Sequence, residues 1–196
     1  MKLTIADIAD IRAYERERDE FHRRIIALKK RRRVGVGPFV TFVFENRDTI
    51  RFLIQEMARV ERIFSDEGIQ AELDTYNPMI PEPGTLRATM FIELTNSDDL
   101  RNWLPRLVGI ERSVELRLPG GTVLPATVDE AHAEQLTRDS ITASVHYLGF
   151  ELTEAAIDEF ASGGSVVLAL AHQNYAHATK LDERAVSELV SDLRGT

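Results

Sequence analysis

Apolar residues near the start of the chain recur at the spacing of an amphipathic helix. Four that share one helix face lie seven, four and three positions apart: Tyr14, Phe21, Ile25 and Leu28. This spacing predicts a long helix over residues 10–33. Acidic residues gather in its first half and basic residues at its end, which is the order that the helix dipole favours. Gly35-Val36-Gly37 and the proline after it then predict a turn.

Past residue 38 the pattern changes to short alternating runs separated by turn residues, which predicts strands with flanking helices. Strands are expected over residues 39–44, 85–94, 114–118, 123–127, 141–150 and 165–172. Helices are expected over residues 46–64, 69–76, 96–107, 129–138, 153–161 and 182–194. The turn Pro119-Gly120-Gly121 between two of the strands predicts an antiparallel hairpin.

These elements predict one α+β domain over residues 1–196, with an N-terminal helical segment at 1–33 and a sheet-containing body at 34–196. About six strands are expected to form a single, mostly antiparallel sheet. No run of about 18 apolar residues could span a membrane, and the N-terminus lacks the hydrophobic core of a signal peptide. A cytoplasmic protein is therefore expected.

Charge and cysteine content narrow the possible functions. The chain has 24 Lys and Arg against 32 Asp and Glu, a net charge of -8, which argues against a general nucleic-acid coat. Residues 1–33 hold 11 basic and 6 acidic residues, a net charge of +5, and the other 163 residues hold 13 and 26, a net charge of -13. The absence of Cys excludes disulfides, Fe–S clusters, thiolate zinc sites and cysteine nucleophiles.

The basic excess is concentrated at the end of the predicted first helix, in Lys29, Lys30, Arg31, Arg32 and Arg33. Such a run can hold phosphates or another anionic partner. The alternative is a solvated helix end that the helix dipole stabilises and that offsets acids elsewhere in the chain. No aromatic residue interleaves with the run, so base stacking has no support and nucleic-acid binding is the least favoured interpretation.

Two histidines on predicted strands suggest a metal site. His146 lies on the polar face of one strand, and His172 ends another. If these strands are neighbours, both histidines could join a carboxylate late in a strand, such as Glu45 or Glu93, and bind iron, manganese or zinc. The alternative is two hydrogen-bonded structural histidines at strand edges.

Motifs for other chemistries are missing. The sequence has no HExxH pair, no Glu-x-x-His motif repeated on two helices as in ferritin-like proteins, and no GxSxG nucleophile elbow. Walker-type and dinucleotide-binding phosphate loops are absent as well. The sequence therefore identifies no reaction, and it leaves open whether the protein is an enzyme.

Several segments in a fixed order resemble the bacterial DUF3501 family, a domain of unknown function. The matching segments are ALKKRRRV (27–34), FENRDT (44–49), QEM (55–57), ERI (61–63), YNPMIP (76–81), RATM (87–90), SVHYL (144–148) and HQNY (172–175). The resemblance implies a soluble accessory protein in peroxide or redox metabolism, because such proteins look like neighbours of rubrerythrin-like and Fe–S oxidoreductase proteins in bacterial gene clusters. It supplies no catalytic residue.

The polar residues in these segments indicate one shared site, because a packed core alone does not need them there. The expected ligand-binding residues, around a cleft walled by the proline-rich loop of residues 77–84, are Lys29, Lys30, Arg31, Arg32, Arg33, Asn46, Asn77 and Tyr175. The leading hypothesis is an accessory redox-stress protein that binds a redox-protein partner or an anionic ligand there. The alternative is a metal-binding protein or metalloenzyme that uses His146, His172, Glu45 and Glu93. A homodimer through the long first helix is a further expectation.

Overall fold

The computed structural model describes residues 1–128 and 140–196, and the helix expected over residues 129–138 lies outside them. Its α-helices are α1 (Ile11–Arg32), α2 (Arg47–Glu61), α3 (Asp66–Tyr76), α4 (Ser97–Trp103), α5 (Glu154–Phe160) and α6 (Glu183–Arg194). Its strands are β1 (Arg33–Val36), β2 (Val40–Phe44), β3 (Thr85–Ile92), β4 (Val114–Arg117), β5 (Val123–Pro125), β6 (Thr127–Val128), β7 (Val145–Glu151), β8 (Val167–His172) and β9 (Tyr175–Lys180). Short 3₁₀ helices cover Ile5–Asp7, Asn77–Met79, Leu104–Leu107 and Ile110–Ser113. The α+β class is confirmed.

The strands form two antiparallel sheets rather than the single sheet expected from the sequence. One sheet has the order β1-β2-β3-β7-β6, and the other has the order β5-β4-β8-β9. β5 belongs to the four-stranded sheet and β6, the next strand in the sequence, belongs to the five-stranded sheet. The chain therefore passes from one sheet to the other between these two strands. Ala126 lies between β5 and β6, and its N–H donates to the Val114 carbonyl at 2.9 Å. This hydrogen bond keeps the connection between the two strands bound to β4.

Two strands that the alternation does not reveal, β1 and β9, lie at the edges of the sheets. β1 follows α1 without a loop, and its residues Val34 and Val36 are buried, so the predicted turn begins later than expected. Within Gly35-Val36-Gly37, Gly37 is the residue with the positive φ of a turn, +74°. β9 escapes sequence recognition because most of its residues are exposed and no apolar alternation marks it.

The main core lies between the two sheets. One face of the five-stranded sheet contributes residues such as Phe42, Met90 and Phe150, and the four-stranded sheet contributes Leu116 and Leu168. α5 and α6 add further apolar side chains to the same cluster. The strand pairings thus bury one face of each sheet, as in a sandwich closed by helices.

Helices α1, α2 and α3 cover the opposite, outer face of the five-stranded sheet. α2 and α3 bury Ile50, Ile54 and Leu73 in a second cluster, against which Tyr147 of β7 packs. Three members of the predicted stripe of α1 are buried in a third cluster: Tyr14, Phe21 and Ile25. Within the described residues, no helix combines the length and the apolar character that crossing a membrane requires.

Candidate functional site

A cleft of about 210 Å³, the Arg87 cleft, opens on the outer face of the five-stranded sheet. The described residues that line it are Pro78, Met79, Arg87, Thr127, Val128, Tyr147, Leu148 and Gly149. The floor of the cleft is formed by β3 and β7. Side chains alternate along β3, so Leu86 and Ala88 face the core whereas Arg87 between them faces outwards into the cleft. The register places Gly149 of β7 opposite both Arg87 and Thr127.

The 3₁₀ turn Asn77–Met79 forms one wall of the cleft and is held by the N-terminal segment. Oδ1 of Asn77 accepts a hydrogen bond from the Leu3 N–H at 2.9 Å, and its Nδ2 donates to the Leu3 carbonyl at 2.9 Å. The Lys2 ammonium donates to the Ile80 carbonyl at 2.8 Å. Asn77, expected from the sequence to bind a ligand, therefore has its amide occupied and positions the wall.

The Arg87 side chain is half-buried, and its guanidinium has no hydrogen bond or ion pair with any residue that the structure describes. It lies across Gly149, where a Cβ would overlap Nη1 of Arg87 and would lie 3.0 Å from its Cζ. The same Cβ would lie 2.8 Å from Oγ1 of Thr127. Glycine at this position gives the guanidinium the space to extend over β7.

A second polar group, Glu45, lies on the same face of the sheet just after β2. Glu45 is 5% exposed, and its Oε1 accepts a hydrogen bond from Oγ1 of Thr89 at 2.6 Å. Its Oε2 is buried and has no hydrogen-bond partner among the described residues. Tyr147 stands opposite Thr89, and burial, followed by the nearby Tyr76 and Glu45, raises the pKa of its phenol.

Arg32, in the middle of the basic run, is 1% exposed and bound within the fold. Its guanidinium pairs with Glu188 and Asp192 of α6, and its Nε donates to the Phe44 carbonyl at 2.9 Å. Burial lowers the pKa of Arg32, and the charge of Glu188 opposes that shift. Through these contacts Arg32 connects the end of α1 to β2 and α6.

The other arginines of the run also meet carboxylates of the chain itself. Nε of Arg31 donates to Oε1 of Glu188 at 2.6 Å, and Arg33 pairs with Glu93. The members of the run without an ion pair to a described residue are the two lysines: Lys29 and Lys30. These arginines therefore offset acids elsewhere in the chain, as the alternative to an anion site expected, with Arg31 and Arg33 exposed and Arg32 buried. Their acidic partners, in α6 and after β3, are distant in the sequence.

The predicted metal ligands do not converge. His146 faces the core between the sheets, whereas Glu45 lies on the outer face of the same sheet. His172 ends β8 in the other sheet, and Glu93 is paired with the basic run. Among the described residues, no three His, Asp or Glu side chains lie close enough together to hold a metal ion. The four residues thus form no common site.

Both histidines have hydrogen-bond partners inside the fold. Nδ1 of His172 accepts from the Asn174 N–H at 3.2 Å, and its Nε2 lies 3.2 Å from a backbone carbonyl, which fixes the proton on Nε2. Nε2 of His146 lies 3.0 Å from the Thr142 hydroxyl and 3.0 Å from a backbone carbonyl. Burial lowers the pKa of His146, and the charge of Glu111 opposes this. These contacts match the structural alternative considered for the two histidines.

Asn46 and Tyr175, two further residues expected to bind a ligand, are occupied as well. Oδ1 of Asn46 accepts an N–H of the first turn of α2 at 3.0 Å and so caps that helix. The Tyr175 hydroxyl donates to the Val36 carbonyl at 2.8 Å and accepts from the N–H groups of Phe39 and Val40, each at 3.2 Å. Tyr175 therefore joins β9 of one sheet to the β1–β2 turn of the other.

Sequence reasoning did not single out the floor of the Arg87 cleft, although one signal was available. In residues 85–89 threonine and arginine alternate with apolar residues, so one face of a predicted strand is polar. Arg87 and Tyr147 also lie inside segments that carry the family resemblance. That Gly149 lies beside Arg87 depends on the strand register, which the alternation alone does not give.

Comparison with known proteins finds one family and one solved structure, both described as of unknown function. The crystal structure at 1.90 Å resolution of a novel protein of unknown function from Burkholderia pseudomallei K96243 is 39% identical in sequence, with a TM-score of 0.90. The match covers 98% of this chain and 100% of that one. No curated protein matches the chain. A family model described as a protein of unknown function (DUF3501) matches residues 2–193, nearly the whole sequence, and the chain therefore belongs to the DUF3501 family.

Proposed function

We propose that this protein binds a small anion, or an acidic side chain of a partner, in the Arg87 cleft. The supporting observation is that, in the described part of the chain, Arg87 alone among the buried and half-buried arginines lacks a carboxylate partner. The others all have one: Arg18 with Glu56, Arg32 with Glu188, Arg47 with Asp7, Arg51 with Glu17 and Arg59 with Glu56. A guanidinium partly withdrawn from water without a counter-charge is costly, so a bound anion stabilises it.

The cleft offers the chemistry that carboxylates and phosphates require. Arginine presents a planar fork of donors that can bind either group in bidentate fashion. The Thr127 hydroxyl, which also lines the cleft, donates to the Gly149 carbonyl at 3.1 Å, so Arg87 is the group that would bind the anion. A volume of about 210 Å³ suits a small molecule or a single side chain better than a drug-sized ligand.

Titration of the untagged protein with small anions tests the proposal. We expect acetate, propionate or inorganic phosphate to bind with one-to-one stoichiometry in calorimetry at low salt. Arg87→Met should weaken that binding by about ten-fold or more, because it removes the charge-assisted hydrogen bonds. Lys30→Met, which removes an exposed cation of the basic run, is the matched control and should leave the affinity unchanged. No binding of any of these anions, or equal losses in both variants, overturns the proposal.

We further propose that the anionic ligand or partner belongs to redox or peroxide metabolism. The support is the family resemblance, which associates such proteins with rubrerythrin-like and Fe–S proteins in gene clusters. Pull-down of those proteins at low salt tests this role. Retention that Arg87→Met abolishes and Lys30→Met preserves supports docking of an acidic group in the cleft. No retention with the unaltered protein counts against the redox role and leaves the anion site to calorimetry.

The two alternatives considered from the sequence have less support. A metalloenzyme needs ligands that converge, and His146, His172, Glu45 and Glu93 do not. Nucleic-acid binding needs free cations in the basic run, and its arginines are paired with the chain's own carboxylates.

A further inference from the structure

The end of α2 and the turn that follows it expose two large apolar side chains to solvent. Phe64 is 78% exposed and Val60 is 65% exposed, the highest values among the large apolar side chains of the described residues apart from Met1. A single exposed apolar residue is ordinary, whereas an exposed group beside an apolar pocket marks an interaction surface. Such a pocket lies next to this turn.

Hydrogen bonds hold the backbone on both sides of Phe64. α2 ends at Arg62, the only non-glycine residue with a positive φ among the described residues, and the next N–H, that of Ile63, donates back to a carbonyl of α2 at 2.9 Å. Ser65, directly after Phe64, caps α3, because its Oγ accepts from the Gly68 N–H at 3.2 Å. The left-handed conformation is unfavourable for arginine, yet the turn adopts it and so presents the ring to solvent.

The pocket beside Phe64, the Ile pocket, has a volume of about 130 Å³. Five isoleucines of the N-terminal segment, the α2–α3 turn and α3 line it together with Phe64: Ile5, Ile8, Ile11, Ile63 and Ile69. An aliphatic cavity of about 150 Å³ takes up one benzene molecule, so the Ile pocket has roughly the size of a phenyl ring. One surface thus carries an aromatic side chain and a pocket of matching size side by side.

Two charges of opposite sign flank Phe64 at equal distances along the chain. Arg62 lies two residues before it and Asp66 two residues after it, and both side chains are exposed. Neither makes an ion pair with a described residue, and Asp66 also lines the Ile pocket. A rotation of 180° about an axis at Phe64 would therefore place Arg62 of one copy opposite Asp66 of a second copy, and the reverse.

We infer that a second copy of this chain docks on this surface in a two-fold dimer. Phe64 of each copy covers the Ile pocket of the other, and each Arg62 meets an Asp66 across the interface. A two-fold interface requires one patch to carry both halves of every contact, and this patch carries ring and pocket, cation and carboxylate. A uniformly acidic or basic partner would instead meet a like charge at Asp66 or Arg62.

This dimer is independent of the proposed anion binding, because no described residue lines both the Ile pocket and the Arg87 cleft. It also differs from a dimer through the length of α1. The residue of α1 that lines the Ile pocket is its first, Ile11. The two arrangements can therefore be separated by substitutions at the α2–α3 turn and on α1.

Sedimentation equilibrium of the untagged full chain, from about 1 μM to about 1 mM at low salt, tests the association. We expect the average mass to rise towards that of two chains. Phe64→Gln should weaken dimerisation by about thirty-fold or more, because it removes the aromatic anchor. Ile26→Gln, which alters a 56% exposed side chain on α1, is the matched control and should leave the dimer unchanged. Both side chains are exposed, so both variants should fold.

Three outcomes overturn the inference. The mass can stay that of one chain at every concentration, which leaves this surface to a partner of another kind. A dimer can survive Phe64→Gln. Ile26→Gln can be the variant that dissociates the dimer, which assigns the interface to α1.

Exchange of the two charges tests the two-fold register. Arg62→Asp opposes two acids at each contact and Asp66→Arg opposes two arginines, so each should weaken dimerisation by about ten-fold. Aspartate tolerates the left-handed conformation at position 62. The double variant restores opposite charges and should dimerise within about three-fold of the unaltered protein, a rescue that a merely structural role would not produce. A double variant that dimerises no better than the single variants shows that Arg62 does not meet Asp66 and overturns the two-fold arrangement.

Discussion

Arg87 lies across Gly149, the residue opposite it on β7, in the space that a Cβ at position 149 would need. The direction of the cation in the cleft thus depends on a side chain that the neighbouring strand lacks. Position 149 can therefore be used to move the guanidinium without removing its charge.

Gly149→Ala should displace Arg87 and weaken anion binding by about ten-fold, as the loss of a bidentate contact would. Gly149 does not have a positive φ, so alanine is compatible with its backbone and the protein should remain folded. Gly35→Ala in β1 is the matched control, because no atom lies within 4 Å of the added Cβ. Calorimetric titration with phosphate and thermal unfolding of both variants provide the measurement. Equal affinities in the two variants would show that the position of Arg87 does not matter for binding.

Arg32→Met should destabilise the protein by about 3 kcal/mol, because it leaves Asp192 and part of Glu188 without their buried cation. Arg33→Met is the control at the next residue, where both side chains of the ion pair with Glu93 are 45% exposed. It should cost less than about 1 kcal/mol. Urea unfolding monitored by circular dichroism measures both differences. If the two variants lose similar amounts of unfolding free energy, the contacts of Arg32 do not stabilise the packing of α1 on α6.

Local pattern predicts the helices of this protein well. The apolar stripe and the charge order of α1 depend on residues three and four positions apart, and the expected helix at 10–33 is found as Ile11–Arg32. The helix expected over 182–194 is likewise found as Glu183–Arg194, with Asp182 as its cap. Local pattern predicts the sheets less well. β1 and β9 are edge strands that form by pairing with a neighbouring strand, and their own residues show no clear alternation.

The candidate site shows the same limit more sharply. The basic run is evident in the sequence because its charges are adjacent, whereas its partners Glu188 and Asp192 come from the other end of the chain. Arg87 is a single charge in a strand, and its lack of a partner becomes visible only when the register and the neighbouring Gly149 are known. Charge density could be read from the sequence, whereas charge compensation is a tertiary property.

Glu56 should make stability depend on pH in the acid range. Its carboxylate accepts hydrogen bonds from Arg18, Tyr14 and Arg59, and the Arg18 contact, the largest cause, lowers its pKa from 4.5 to about 2. Because the folded-state pKa lies below the unfolded-state value, the stabilisation is present above pH 4.5 and is lost as the pH falls towards 2. Glu56→Gln should cost about 2 kcal/mol at pH 7, and the difference from the unaltered protein should shrink below about pH 4.5.

Urea unfolding of both proteins between pH 7 and about pH 3 checks this, and a difference that stays constant over the range would contradict it. Glu20→Gln, which alters an exposed acid on α1, should change stability little at any pH in this range.

Tyr175→Phe should cost about 2 kcal/mol, because it leaves the Val36 carbonyl and the N–H groups of Phe39 and Val40 without the hydroxyl that serves all three. Tyr76→Phe is the matched control. Tyr76 is half-buried and its hydroxyl makes no hydrogen bond to a described residue, so this variant should stay within about 0.5 kcal/mol of the unaltered protein. Urea unfolding compares the two variants. Hydrogen exchange adds a local readout, in which the Phe39 and Val40 amides should exchange faster in Tyr175→Phe alone. If only global stability falls and these amides keep their protection, the hydroxyl is not what joins the two sheets at the β1–β2 turn, and the loss comes from packing of the ring.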